Sequence, residues 1–163
     1  MSNSRPEVTV RPATAADLPV IGRLGAALVR LHHEFDPKRF RAASLGTEHG
    51  YASFLGSQLK EADTCILVAE QGGEVVGYSY STVEGVDYMT LRGPAGVIND
   101  IWIEPGHRGS GVGRFLLDAT IAALEARGMS QVVLSTAVQN QAAQGLFASA
   151  GFRQTMIEMT REK

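Results

Sequence analysis

The stretch Asp100-Ile101-Trp102-Ile103-Glu104-Pro105-Gly106-His107-Arg108-Gly109-Ser110-Gly111-Val112-Gly113-Arg114-Phe115-Leu116-Leu117 decides how this chain is read. It begins with the alternation of a strand, turns through Gly109, Gly111 and Gly113, and opens into a helix. Glycines at alternate positions remove Cβ atoms where backbone must come close to a ligand, and the helix that follows aims its free N–H groups at the same place. Backbone N–H groups of 108–114 and the positive end of the helix dipole therefore make an anion site.

Spacing narrows the anion. A dinucleotide fingerprint needs G-x-G-x-x-G, and Gly109-x-Gly111-x-Gly113 lacks the third glycine at the required place. A nucleoside-triphosphate loop needs Gly-Lys followed by Ser or Thr, whereas Gly113 is followed by Arg114-Phe115. What remains is Arg108-x-x-Gly111-x-Gly113 between a strand and a helix.

Upstream, 97–104 reads as the strand that feeds the turn. Period two puts Ile98, Asp100, Trp102 and Glu104 on one face and Val97, Asn99, Ile101 and Ile103 on the other, unless a bulge shifts the phase. Downstream, Phe115, Leu116, Ala119 and Ala123 recur at helical spacing, with Gly128 at the C′ position. A strand at 131–136 completes a strand–helix–strand unit. Asn140 then caps a helix with Ala143, Leu146, Phe147 and Ala150 on its inner face, Gly151 ends it, and 152–160 is expected to close the chain as a strand.

In the first half, 1–6 is polar and expected to fray, and 8–11 alternates as a short strand before Pro12. Thr14 and Asp17 resemble a capping box before a helix whose inner face is Leu18, Ile21, Leu24, Leu28 and Leu31 and which ends near His33. An acidic and aromatic loop at 34–40 separates it from a second helix at 48–62, with Tyr51, Phe54, Leu55 and Leu59 on one side. These two helices either wall a substrate cleft or pack as core. Strands at 65–70 and 74–83 flank a Gly72-Gly73 hairpin turn. In the second of them, Val76, Tyr78, Tyr80 and Thr82 share a face that is either core or ligand wall. The segment 84–96 reads as a loop or an irregular strand extension.

Composition sets the outer bounds. The length of 163 residues suits one domain spanning 1–163, and 44% hydrophobic with 20% charged residues is the composition of a folded protein. Fifteen Lys and Arg against 17 Asp and Glu argue against nucleic acid as the main partner. The single cysteine, Cys65, excludes an intrachain disulfide, and its apolar run reads as a buried thiol. No membrane span or targeting signal is visible, so a cytoplasmic protein with no membrane partner is the expectation. His32, His33, His49 and His107 have no metal-ligand spacing and read as surface residues, so no metal is expected.

Arg108-x-x-Gly111-x-Gly113 resembles the pyrophosphate loop of the GCN5-related N-acetyltransferase family. The segment Asn140-x-x-Ala143-x-x-Leu146-Phe147-x-x-x-Gly151-Phe152 resembles that family's next signature, ordered Asn, Ala, Leu-Tyr, Gly-Phe. The resemblance implies an α/β (α+β) fold with a mixed, mostly antiparallel central sheet and helices on both faces, and acetyl-CoA as cosubstrate. It implies that Arg108, Gly109, Ser110, Gly111, Val112, Gly113 and Arg114 hold the pyrophosphate. Ile101 and Ile103 would offer backbone hydrogen bonds to pantetheine, Asn140 would touch the coenzyme arm, and Phe147 would pack against it.

Acetyl transfer to an amine needs a neutral nucleophile, an aligned thioester and a proton for the departing thiolate. The family commonly supplies that proton from a tyrosine where this chain has Phe147, which has none to give. Either water or another donor serves, or the protein is a poor catalyst. Asp100 and Glu104, in phase on the strand around Trp102, are the candidate bases. Diamine acetyltransferases of the family carry Glu-Asp where this chain has Asn99-Asp100, which weakens a polyamine assignment. Glu34, Asp36, Glu84 and Asp87 in the bordering loops suit a positively charged substrate. With no nucleophile in the pattern, the expectation is direct attack by a small-molecule or peptide amine; the alternative is a non-catalytic acyl-CoA-binding module. The exposed final strand leaves a homodimer open.

Overall fold

Five strands run side by side in chain order: β1 (Val8–Pro12), β2 (Thr64–Gln71), β3 (Glu74–Glu84), β4 (Ala95–Ile103) and β5 (Val132–Leu134). The first three pairings are antiparallel and β4–β5 is parallel. The structure, a computed structural model, describes residues 7–163; the N-terminal segment expected to fray lies outside the described residues.

Strand alternation sorts the core into two layers. Ile66 and Val68 of β2, Tyr78 of β3 and Trp102 of β4 face α1 (Leu18–Phe35) and α2 (Thr47–Gln58), packing on Ile21, Leu24 and Leu55. Cys65, Leu67 and Ala69 of β2 face the other way, onto Val112 and Leu116 of α3 (Val112–Glu125). Below them Ile98, Leu117, Leu124 and Phe147 bring in α4 (Gln141–Ser149). The mostly antiparallel sheet with helices on both faces is thus present, and Cys65 is buried as expected.

Two bulges overturn the simple period-two reading. Opposite Ala69 and Glu70, β3 places Gly77 and Val75, so Val76 is an extra residue and turns to the α3 face, away from Tyr78. Opposite Tyr80 and Ser81, β4 places Asp100 and Ile98, so Asn99 is extra and Ile98 joins the α3 face while Asp100 and Trp102 stay on the α1 face. Each insertion reverses the alternation beyond it.

The α1–α2 crossing depends on two glycines. A Cβ on Gly22 would stand 2.5 Å from the Glu48 carbonyl oxygen, and one on Gly25 would stand 2.2 Å from the Tyr51 ring. With hydrogen at both positions α2 lies directly on α1, and the Tyr51 ring fills the space over Gly25. Before α1, Thr14 and Asp17 form the expected cap, with the Thr14 N–H donating to Asp17 at 2.7 Å. Arg11 then donates to both Asp17 oxygens at 2.8 and 2.9 Å and to Glu70 at 2.8 Å, tying β1 and β2 to the helix start. That bidentate bond, above all, lowers the Asp17 pKa to about 2.

Two further expectations fail. The second helix ends at Gln58 rather than 62. Residues 152–160 form no strand, although β5 is the edge strand of the sheet and only three residues long, and 153–163 lie exposed. The suggestion of a dimer through a final strand loses its basis with it.

Candidate active site

Beyond Ile98 the two parallel strands part. β4 pairs with β5 only over Gly96–Ile98, and from Asn99 onward its edge faces a groove whose other wall begins at Leu134, Ser135 and Thr136. The bulge at Asn99 marks the point of separation. The groove measures about 390 Å³ and runs from Gly109, Gly111 and Gly113 at one end to Leu28, Leu31, His32 and Asp100 at the other. Asn140, Ala143, Leu146 and Phe147 of α4 form its third side.

At the turn end, Gly109 and Gly111 have φ of +73° and +93°, the left-handed region in which a Cβ is strained. A Cβ on either would meet nothing within 4 Å, so the space over the turn is open. Gly111 is the N-cap of α3, and the helix has no acidic side chain in its first turn to compete for the free N–H groups. The Ser110 hydroxyl donates to the His107 carbonyl at 2.7 Å, which ties the turn to itself. Gly113 lies on the inner side of α3, where a Cβ would touch Leu146 and Ile103 at ordinary contact distances.

The two arginine side chains bond within the protein. Arg108 donates from Nε to the Ile103 carbonyl at 2.8 Å, and its guanidinium lies 4.4 Å over the Trp102 ring. Its charge is directed at the strand and engages the carbonyl of Ile103. Arg114 turns along the helix to Asp118 at 2.8 Å and to the Ser149 carbonyl at 3.0 Å, clamping α3 to α4. Both residues contribute to the turn through backbone.

Along the middle, Ile101 and Ile103 have no strand neighbour on the β5 side. Asn140 accepts from the Ala143 N–H at 3.2 Å as the cap of α4, and its NH2 group has no acceptor among the described residues. Phe147 is buried against Phe152, ring centres 6.0 Å apart, and lines the groove. Trp102 carries a buried indole N–H without a partner among the described residues. A polar ligand in the groove would satisfy such donors. A long chain with amide groups and an anionic end fits this lining.

At the far end stands Asp100, half-buried. The Tyr78 hydroxyl donates to it at 3.0 Å, and the Tyr51 hydroxyl lies near it. Burial raises the Asp100 pKa, and these two hydroxyls and His32 pull against that rise. Burial and the facing carboxylate in turn raise both tyrosines. His32, which reads as a surface residue from sequence, lies here beside Asp100. Its position one turn after Leu28 and next to Leu31 was the available signal, because all three share the inner face of α1. Gly25 was the signal for Tyr51.

Glu104 does not join Asp100. It pairs with Arg23 of α1 and does not line the groove. Its carboxylate ties the end of β4 to the helix, which removes it as the second candidate base. Among the described residues no group of three His, Cys, Asp or Glu side chains is placed to hold a metal ion, and no helix is long and apolar enough to cross a membrane.

Comparison with known proteins places this geometry. An uncharacterized N-acetyltransferase of Bacillus subtilis, YhfO, is 28% identical over 149 residues, covering 90% of this chain and 91% of its own. A mycothiol acetyltransferase of Thermobispora bispora is 35% identical over 97 residues; the match takes in 57% of this chain but spans only 31% of the relative's length. A GCN5-related N-acetyltransferase of Ralstonia eutropha superimposes with a TM-score of 0.72 at 22% identity, over 96% of this chain and 99% of that one, which shows a shared fold. The family model described as Acetyltransferase (GNAT) family matches residues 27–152, from the middle of α1 to the end of the α4 signature, and the chain belongs to that family.

Proposed function

We propose that this protein moves an acetyl group from acetyl-CoA directly to a primary amine of a small molecule or peptide. The observation that carries the reading is the continuous groove joining the glycine turn to Asp100. Its turn end suits a pyrophosphate, held by backbone N–H groups of 108–114, and its middle suits pantetheine between the open edge of β4 and α4, with Ile101, Asn140 and Phe147 in contact. Acetyl-CoA supplies an activated acyl group as its thioester. Asp100 supplies the opposite charge for an incoming ammonium, and the Tyr78 hydroxyl orients its carboxylate. Leu28 and Leu31 beside it suit a substrate whose amine is attached to an apolar body.

The second reading is a non-catalytic acyl-CoA-binding module, favoured by Phe147, whose buried ring offers no proton to a departing thiolate. Ser135 and Thr136 on the opposite wall have hydroxyls that form no hydrogen bond to the described residues, so donors other than position 147 border the groove. Release of free thiol from acetyl-CoA, followed across aromatic and aliphatic monoamines, amino sugars, polyamines and amino-acid amides, separates the two. Acceleration by a monoamine is the expected result. Tight coenzyme binding with no acceleration by any amine would leave only the binding module.

A further inference from the structure

An amine that reaches Asp100 arrives as an ammonium, and it attacks only after a proton has left. The acceptor end of the groove holds one side chain built to take it. His32 has Nδ1 2.8 Å from the Leu28 carbonyl oxygen. A carbonyl only accepts, so Nδ1 carries the ring hydrogen and Nε2 of the neutral ring bears the lone pair. Phe35 and Phe40 meet the imidazole edge-on, with ring centres 6.0 and 5.1 Å away. Phe40 is fixed in turn by its carbonyl, 2.8 Å from His33 Nδ1. The ring is therefore held from three sides, while Nε2 forms no hydrogen bond to the described residues. His32 and Asp100 both line the groove. Asp100 already accepts from the Tyr78 hydroxyl, an arrangement suited to a carboxylate that holds a cation.

We infer that Nε2 of His32 takes the proton from the acceptor ammonium while the Asp100 carboxylate holds that ammonium in place. This rests on the amine acetyltransferase reading above. The ammonium gives one proton to Nε2, which freed His32 later passes to solvent. The exposed nitrogen lone pair forms the C–N bond as the C–S bond of the thioester breaks. The sulfur leaves with the electron pair of that bond, and the second proton lost from nitrogen balances the one gained by the thiol. The titratable and charged groups on the surrounding elements are Asp100 of β4, Tyr51 of α2, Tyr78 and Tyr80 of β3, and Arg39, which stacks on Phe40 at 4.9 Å and pairs with Glu158.

The test is His32→Asn, whose side-chain NH2 can keep the bond to the Leu28 carbonyl while removing Nε2, with His32→Gln as a second variant should the first unfold. The probe is 2-phenylethylamine with acetyl-CoA. The expected result is a loss of about a hundredfold in kcat with little change in the KM for acetyl-CoA, and disappearance of the acidic limb of the wild-type pH–rate profile. A variant at the wild-type rate overturns the assignment, as does a slow variant that keeps the wild-type limb, or a wild type without such a limb. If the wild type acetylates no amine in the wider panel, the acetyltransferase reading itself falls. If it acetylates one and His32→Asn is indifferent, only His32 loses its role.

Discussion

Replacing Gly25 with alanine tests how the fold seats Tyr51 beside Asp100. The new Cβ would stand 2.2 Å from Tyr51 Cδ1, 2.6 Å from Cε1 and 2.7 Å from Cγ. Carbon atoms in contact sit about 3.5–4.0 Å apart, so the ring must withdraw by more than about 1 Å. Overpacking of this kind costs about 1–3 kcal/mol. Moving the ring also withdraws the Tyr51 hydroxyl from Asp100. Against these, alanine in place of glycine inside a helix stabilises by about 1 kcal/mol. With the upper end of the overpacking range, set by the 2.2 Å approach, the balance is a destabilisation of about 2 kcal/mol, read by urea denaturation, accompanied by slower acetylation because Tyr51 shifts away from Asp100. The decisive comparison repeats Gly25→Ala in a Tyr51→Ala background. With the ring gone, the overpacking cost vanishes and the helix preference remains, so the same substitution should stabilise by up to about 1 kcal/mol. A Gly25→Ala protein as stable as the parent, or an equal loss in both backgrounds, refutes the reasoning.

Three further predictions concern separate parts of the molecule. Gly111→Val forces a β-branched residue to φ of +93°, and coenzyme binding measured by calorimetry should fall at least tenfold, while stability drops by only about 1–2 kcal/mol because the Cβ itself meets nothing. Asp100→Asn should abolish most of the activity without lowering stability at pH 7. Burial raises the Asp100 pKa on folding, so the ionised group weighs against the fold as pH rises through that pKa, and asparagine lifts the penalty. Asp17 has the opposite sign. Its pKa is lowered to about 2, so its contribution, on the order of 2 kcal/mol, is complete above the unfolded value and lost as pH falls through about 2. Asp17→Asn should flatten that part of the acid-denaturation curve.

The elements with the strongest periodicity were readable in the chain. The inner face of α1, the Gly72-Gly73 hairpin, the glycine turn and the Asn140 cap all stand where local pattern put them. Local pattern also exposed the open glycine turn, because three glycines after a strand describe a backbone shape by themselves. The faces of β3 and β4 were misread where one bulged residue reversed the alternation. Position 152–160 looked like a strand and formed none, since strand structure needs a neighbour in space that local pattern does not supply.

The far end of the groove was out of reach of any such reading. Asp100, Tyr51, Tyr78 and His32 come from β4, α2, β3 and α1, and nothing in their spacing predicts that they meet. Their meeting is set by the α1–α2 crossing over Gly22 and Gly25, by the bulge at Asn99, and by the ion pair that draws Glu104 to Arg23 instead. Sequence alone determined the turn and the family pattern, because those depend on neighbours along the chain. Only the tertiary structure decided which side chains meet at the far end of the groove, because burial, hydrogen-bond partners and electrostatic fields are properties of neighbours in space.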